Sequence, residues 1–153
     1  MKAIHWIIAA AVLAFVEPAQ AGVNDPEVII YRFPGVRDDG GADNVGVATV
    51  FHCTNFSGVT EVIRLVTRRS DTTIANNLAS GFAHLLTITF TTHPNSAYAG
   101  VNLTTGVVQG TTAIAATSPN IIFTAMTIDA ANPKPDGVAL RGIRFSPVPG
   151  SQE

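Results

Sequence analysis

His84-Leu85-Leu86-Thr87-Ile88-Thr89-Phe90-Thr91-Thr92 is the stretch that decides the fold class. Leu86, Ile88 and Phe90 alternate with Thr87, Thr89 and Thr91, so a strand here has one apolar face and one hydroxylated face. Thr89 is expected to face away from the core, toward solvent. The same chemistry runs through the chain. Residues 22–153 contain 17 Thr, 14 Val and 10 Ile, against one Lys, three Glu and two Gln. Branching at Cβ favours the extended backbone, and the usual surface residues of helices are scarce. The chain reads as all-β.

Outward from that stretch, Gly and Pro punctuate short strand-like runs. Toward the N-terminus these are 28–33, ended by Pro34-Gly35, then 45–53, then 59–68 with a turn at Arg69-Ser70-Asp71. A weaker run over 72–78 is closed by Ser80-Gly81. Toward the C-terminus, His93-Pro94-Asn95-Ser96 turns the chain, and runs follow at 98–103, 111–116, 120–128 and 137–145. Pro147 and Pro149 end the last one. About nine short strands with no connection long enough for a crossover helix predict an antiparallel two-sheet sandwich, immunoglobulin-like, with little or no helix. No linker or internal repeat divides residues 22–153, which are expected to form one domain.

Residues 1–21 read as a secretory signal peptide. Met1-Lys2 supplies a positive charge, residues 7–16 are an unbroken apolar run, and Ala19 and Ala21 stand at the −3 and −1 positions before Gly22. That run is shorter than the roughly 20 residues a spanning helix needs, so export is favoured over a retained anchor. The destination is the periplasm or the exterior, with no membrane insertion once the signal is removed. A net charge of −2 gives no electrostatic reason to expect nucleic acid.

Candidate chemistry is sparse. His52-Cys53 has the composition of a nucleophile and its base, but neighbours on a strand point to opposite faces, so Cys53 reads as a buried thiol. His52, His84 and His93 lack the spacing of a metal site. Asp38-Asp39-Gly40-Gly41-Ala42-Asp43-Asn44 offers hard oxygen ligands, yet it lacks the pattern of a calcium loop and reads as a wide surface loop. Glu61 is the lone Glu between Glu27 and Glu153, on an expected strand beside Val62. A glycosidase pair would have to come from scattered Asp residues. Without Trp after residue 21 and with two Tyr, neither a sugar-binding platform nor base stacking is expected. Asn55-Phe56-Ser57 and Asn102-Leu103-Thr104 match the glycosylation sequon, which matters only in a eukaryotic secretory pathway. No catalytic, cofactor or metal residue is assigned.

Residues 72–128 contain no Asp, Glu, Lys or Arg. Charges normally protect strand edges from pairing with other chains. Either these strands form the interior with a hydroxyl-rich outer face, or they meet a partner: another exported protein, a cell-surface matrix or a second copy.

Ala48-Thr49-Val50-Phe51-His52-Cys53-Thr54-Asn55, Leu86-Thr87-Ile88-Thr89-Phe90 and the closing Gly137-Val138-Ala139-Leu140-Arg141-Gly142-Ile143-Arg144-Phe145 resemble small exported bacterial proteins with an immunoglobulin-like sandwich. The resemblance implies a fold and an export route and no active site. It also implies a second Cys near Phe123, which this chain lacks. The expected function is that of an exported structural or interaction module; the alternative is a small secreted enzyme or ligand or metal binder whose site assembles from loops.

Overall fold

The computed structural model describes residues 27–39 and 42–145. Residues 1–21, read above as a signal peptide, Gly22, loop residues Gly40 and Gly41, and the closing Pro147 and Pro149 lie outside them. Ten strands form two five-stranded sheets, with no helix among the described residues. They are β1 Val28–Val36, β2 Val47–Asn55, β3 Glu61–Arg69, β4 Ile74–Phe82, β5 Thr87–Thr91, β6 Val101–Asn102, β7 Gly110–Ala116, β8 Ile121–Asp129, β9 Val138–Leu140 and β10 Ile143–Arg144. One sheet has the order β10-β1-β7-β3-β4 and the other β6-β5-β2-β8-β9. The all-β sandwich expected from the sequence is the fold. In an immunoglobulin domain the first two strands share a sheet, whereas β1 and β2 lie in opposite ones. The likeness is one of architecture, with a different strand order.

Period-two burial explains why these segments pair as they do. On β3, Glu61, Ile63, Leu65 and Thr67 are buried while Val62, Arg64 and Val66 are partly open. Phe33, Phe51, Leu65, Phe90, Ile114 and Ile121 meet between the sheets in one apolar core. A second, smaller cluster lies on the outer face of the β2 sheet. There Ala48, Val50 and Ile128 are covered by Ala97 and Tyr98 from the segment that returns after β5. That return lays β6 beside β5 in the same direction, a parallel pair where antiparallel pairing was expected throughout.

Several expected boundaries move. β1 continues through Pro34 and Gly35, because a bulge between Pro34 and Val36 absorbs the misfit and Pro34 stands beyond the reach of β10. β4 runs past Ser80 and Gly81 because Phe82, buried in the core, is held opposite Glu61. The segment over 84–92 supplies only β5. Leu85 adopts φ +62° and its N–H donates to the Asn55 carbonyl at 2.7 Å, so residues 84–86 turn and Leu86 is exposed, not core. The run over 137–145 splits at Arg141-Gly142 into β9 and β10 in opposite sheets, which makes ten strands where about nine were expected.

The chain crosses between sheets repeatedly, and only β3–β4 and β8–β9 join as antiparallel neighbours in sequence. One consequence bears on function. β4 is an edge of its sheet, and the short β6 beside β5 is an edge of the other. Asn76 on β4 donates to the Leu103 carbonyl just after β6 at 2.6 Å, so the two edges share one side of the sandwich. All three strands of that side lie in the uncharged stretch.

Candidate functional site

Most of the polar chemistry gathers around Asp38. The aspartate follows β1 and bridges Ala48 of β2, which carries it under the loop instead of onto the surface. Its Oδ2 accepts the Thr105 hydroxyl at 2.8 Å and the Gly106 N–H at 2.6 Å. Its Oδ1 lies 2.6 Å from Nδ1 of His93, two residues past β5. The other ring nitrogen of His93 lies 3.0 Å from the Val45 carbonyl. A carbonyl can only accept, so Nε2 carries a proton and donates it there, and one further proton lies between Nδ1 and Asp38. The pair ties four chain segments together.

A cleft of about 390 Å³ opens beside this pair, lined by Asp38, Asp39, Asp43, His93, Asn102 and Thr104 among others. Its chemical capacity is limited by prior commitments. Asp39 accepts from Arg37 at 2.6 Å and from the Val47 N–H at 3.0 Å. Asp38 is saturated. A hydrolytic base needs a free ring nitrogen facing its nucleophile, and the only candidate nitrogen of His93 is spent on Val45. Among the described residues no three His, Cys, Asp or Glu side chains gather as metal ligands. The surface-loop expectation for Asp38 is therefore corrected: it is buried, and the loop proper begins at Asp39. Sequence reasoning missed the pairing, although a signal existed. A buried Asp needs a partner, and in residues 72–128 only the two histidines could supply a cation.

The remaining nominated residues are dispersed. Cys53 is buried on the core side of β2, where burial pushes its thiol up to about 12 against a weak bond to the Ile88 carbonyl. The residue directly across from it on β8 is Phe123, also buried. His52 lies on the opposite face, its ring edge against Tyr98 with centroids 4.8 Å apart and Nδ1 bonded to Thr89 at 3.0 Å. Burial lowers its pKa below the usual imidazole value. Thr89 faces away from the core, as expected, but its hydroxyl is held by His52 and is not free to solvent. His84 is exposed and accepts the Gly58 N–H at 3.1 Å, before β5 and not within it. Asn55 is fully buried and donates to the Val59 and Phe82 carbonyls, so that sequon is closed, while Asn102 is exposed. Glu61 is fully buried; Oε2 accepts the Thr117 hydroxyl, and Oε1 has no partner among the described residues.

The uncharged side of the sandwich is the other candidate. β4 pairs with β3 alone, and its nine residues, Ile74-Ala75-Asn76-Asn77-Leu78-Ala79-Ser80-Gly81-Phe82, carry no charge. Asn77, Ala79 and Gly81 are exposed on its outer face, and Ile74, Leu85 and Leu86 are exposed at its two ends. The chain matches no known protein family, no curated protein and no solved structure.

Proposed function

We propose that this chain is an exported structural or interaction module of the kind the resemblance suggests, a small bacterial β-sandwich that acts through its surface. The working surface is the side built by β4, β5 and β6. One observation carries the reading: a nine-residue edge strand with no charged residue, paired on one side only. An unprotected edge presents N–H and C=O groups to any strand that approaches, and proteins that stay alone usually blunt such an edge with Lys, Pro or a bulge. Here the blunting is confined to the register shift near Ala75. The Asp38–His93 cleft supports the enzyme alternative less well, because its imidazole is bound at both nitrogens.

Hydrogen exchange at the β4 amides tests the reading. In the exported fraction, or in concentrated purified protein, the outward amides of β4 should exchange more slowly than in dilute purified protein. Exchange that is equally fast in all three samples would overturn it.

A further inference from the structure

We propose that the strand received by β4 is β4 of a second copy, laid antiparallel across a two-fold axis at Ala79. The inference rests on the reading of β4 as the working edge and names its partner. Two-fold pairing sets each residue against the residue equally far from the axis on the other copy. A charge at the axis therefore meets its own like, and a charge elsewhere is tolerated only where a neutral or opposite group stands at the mirrored position. β4 avoids the problem by having none. A strand adapted to a different partner is free to use complementary charge, and gains selectivity by doing so.

The register supports the axis. Beyond the shift at Ala75, β4 is regular from Asn76 to Phe82, and Ala79 is the middle of that stretch. An axis there sets Ala79 against Ala79, Asn77 against Gly81 and Leu78 against Ser80. On the exposed row the Asn77 amide meets the position with no side chain, so nothing large faces anything large. The regular ladder runs from Asn76 against Phe82 to Phe82 against Asn76, and beyond each end the exposed Ile74 of one copy lies on the side where the other copy turns through the exposed Leu85. Joining two five-stranded sheets this way makes one continuous sheet of ten strands.

Sedimentation and directed cross-linking test it on the full mature chain. Opposed residues of an antiparallel pair have Cα atoms about 4.5–5.5 Å apart, within the span a disulfide bridges. Ala79→Cys should give a covalent dimer on mild oxidation, while Lys134→Cys, on an exposed distant loop, should not. Cys53 will not compete, being buried with its thiol pushed up to about 12. Wild type should show a concentration-dependent dimer that Ala79→Glu weakens at least tenfold. That change leaves the monomer sound, because position 79 is exposed on the outer face, and it sets two carboxylates together at the axis, since the Arg64 guanidinium across the ladder is already held by Glu27 and Asn77. A wild type that stays monomeric to about 1 mM overturns the proposal. So does a dimer that is indifferent to Ala79→Glu and lacks the Ala79→Cys cross-link. Slowed β4 exchange confined to the exported fraction, with the purified chain monomeric, would keep β4 as the working edge and reject the second copy as its partner.

Discussion

His93 and Asp38 are held so that removing either strands the other. Taking away one partner of a buried pair leaves an uncompensated polar group, and such losses run to about 3–5 kcal/mol. His93→Ala should therefore lower stability by about that amount, read as a shift of the urea midpoint, whereas Asp43→Ala at the exposed rim of the same cleft should stay within about ±0.5 kcal/mol. Equal costs at the two positions would mean that the pair does not anchor the loops. His52 gives a pH signature. Its folded pKa lies below the usual 6.5, because burial disfavours the imidazolium. Below 6.5 the unfolded chain binds the proton first, so this contribution to stability is fully present above 6.5, declines as pH falls, and is gone once pH drops below the folded value. In His52→Gln that part of the acid slope should disappear when midpoints are compared from about pH 7.5 to about pH 4.5. An unchanged slope would place His52 in an environment as wet as the unfolded chain.

Among the elements, the split of the closing run into β9 and β10 depends on one close approach. A Cβ at Gly142 would stand 2.4 Å from Cε1 of Phe33, whose ring is buried among Tyr31 and Phe51 and has nowhere to go. Gly142→Ala should destabilise by about 1–3 kcal/mol through overpacking, and Phe33→Leu in the same chain should recover part of the loss. Strict additivity of the two changes in a double-mutant cycle would remove the contact from the explanation. Alternation made β3 and β7 visible in the sequence because each buries every second residue, whereas β2, buried on both faces over residues 48–51, showed as a mostly apolar run. It misled over 84–92, where the pattern extends into residues whose backbone turns: Leu85 needs a left-handed φ, and nothing in its apolar side chain announces that.

For the molecule as a whole, the pairing of distant segments governs folding. β1 pairs with β7 and β10, and β2 with β8, so the central ladders close long loops before they gain contacts. Refolding after dilution from urea should take milliseconds to seconds, as for other sandwiches rich in non-local pairs. A relaxation in microseconds would imply that local hairpins carry the transition state. The same topology sets the uncharged strands β4, β5 and β6 along one side, while β7, uncharged as well, and β8, whose single charge is the closing Asp129, run inside their sheets.

Composition and period two were enough to determine an all-β chain, a sandwich of short strands, and the opposite facing of His52 and Cys53, because these follow from backbone sterics and alternation within a few residues. Which strand ends a sheet, which loop aspartate goes inside, and which histidine receives it were decided only by the tertiary structure. Asp38 and His93 are 55 positions apart, and no local pattern joins them. Likewise the neutrality of residues 72–128 is plain in the sequence, but only the strand order turns it into an unprotected edge, since a strand is an edge by virtue of what fails to pair beside it.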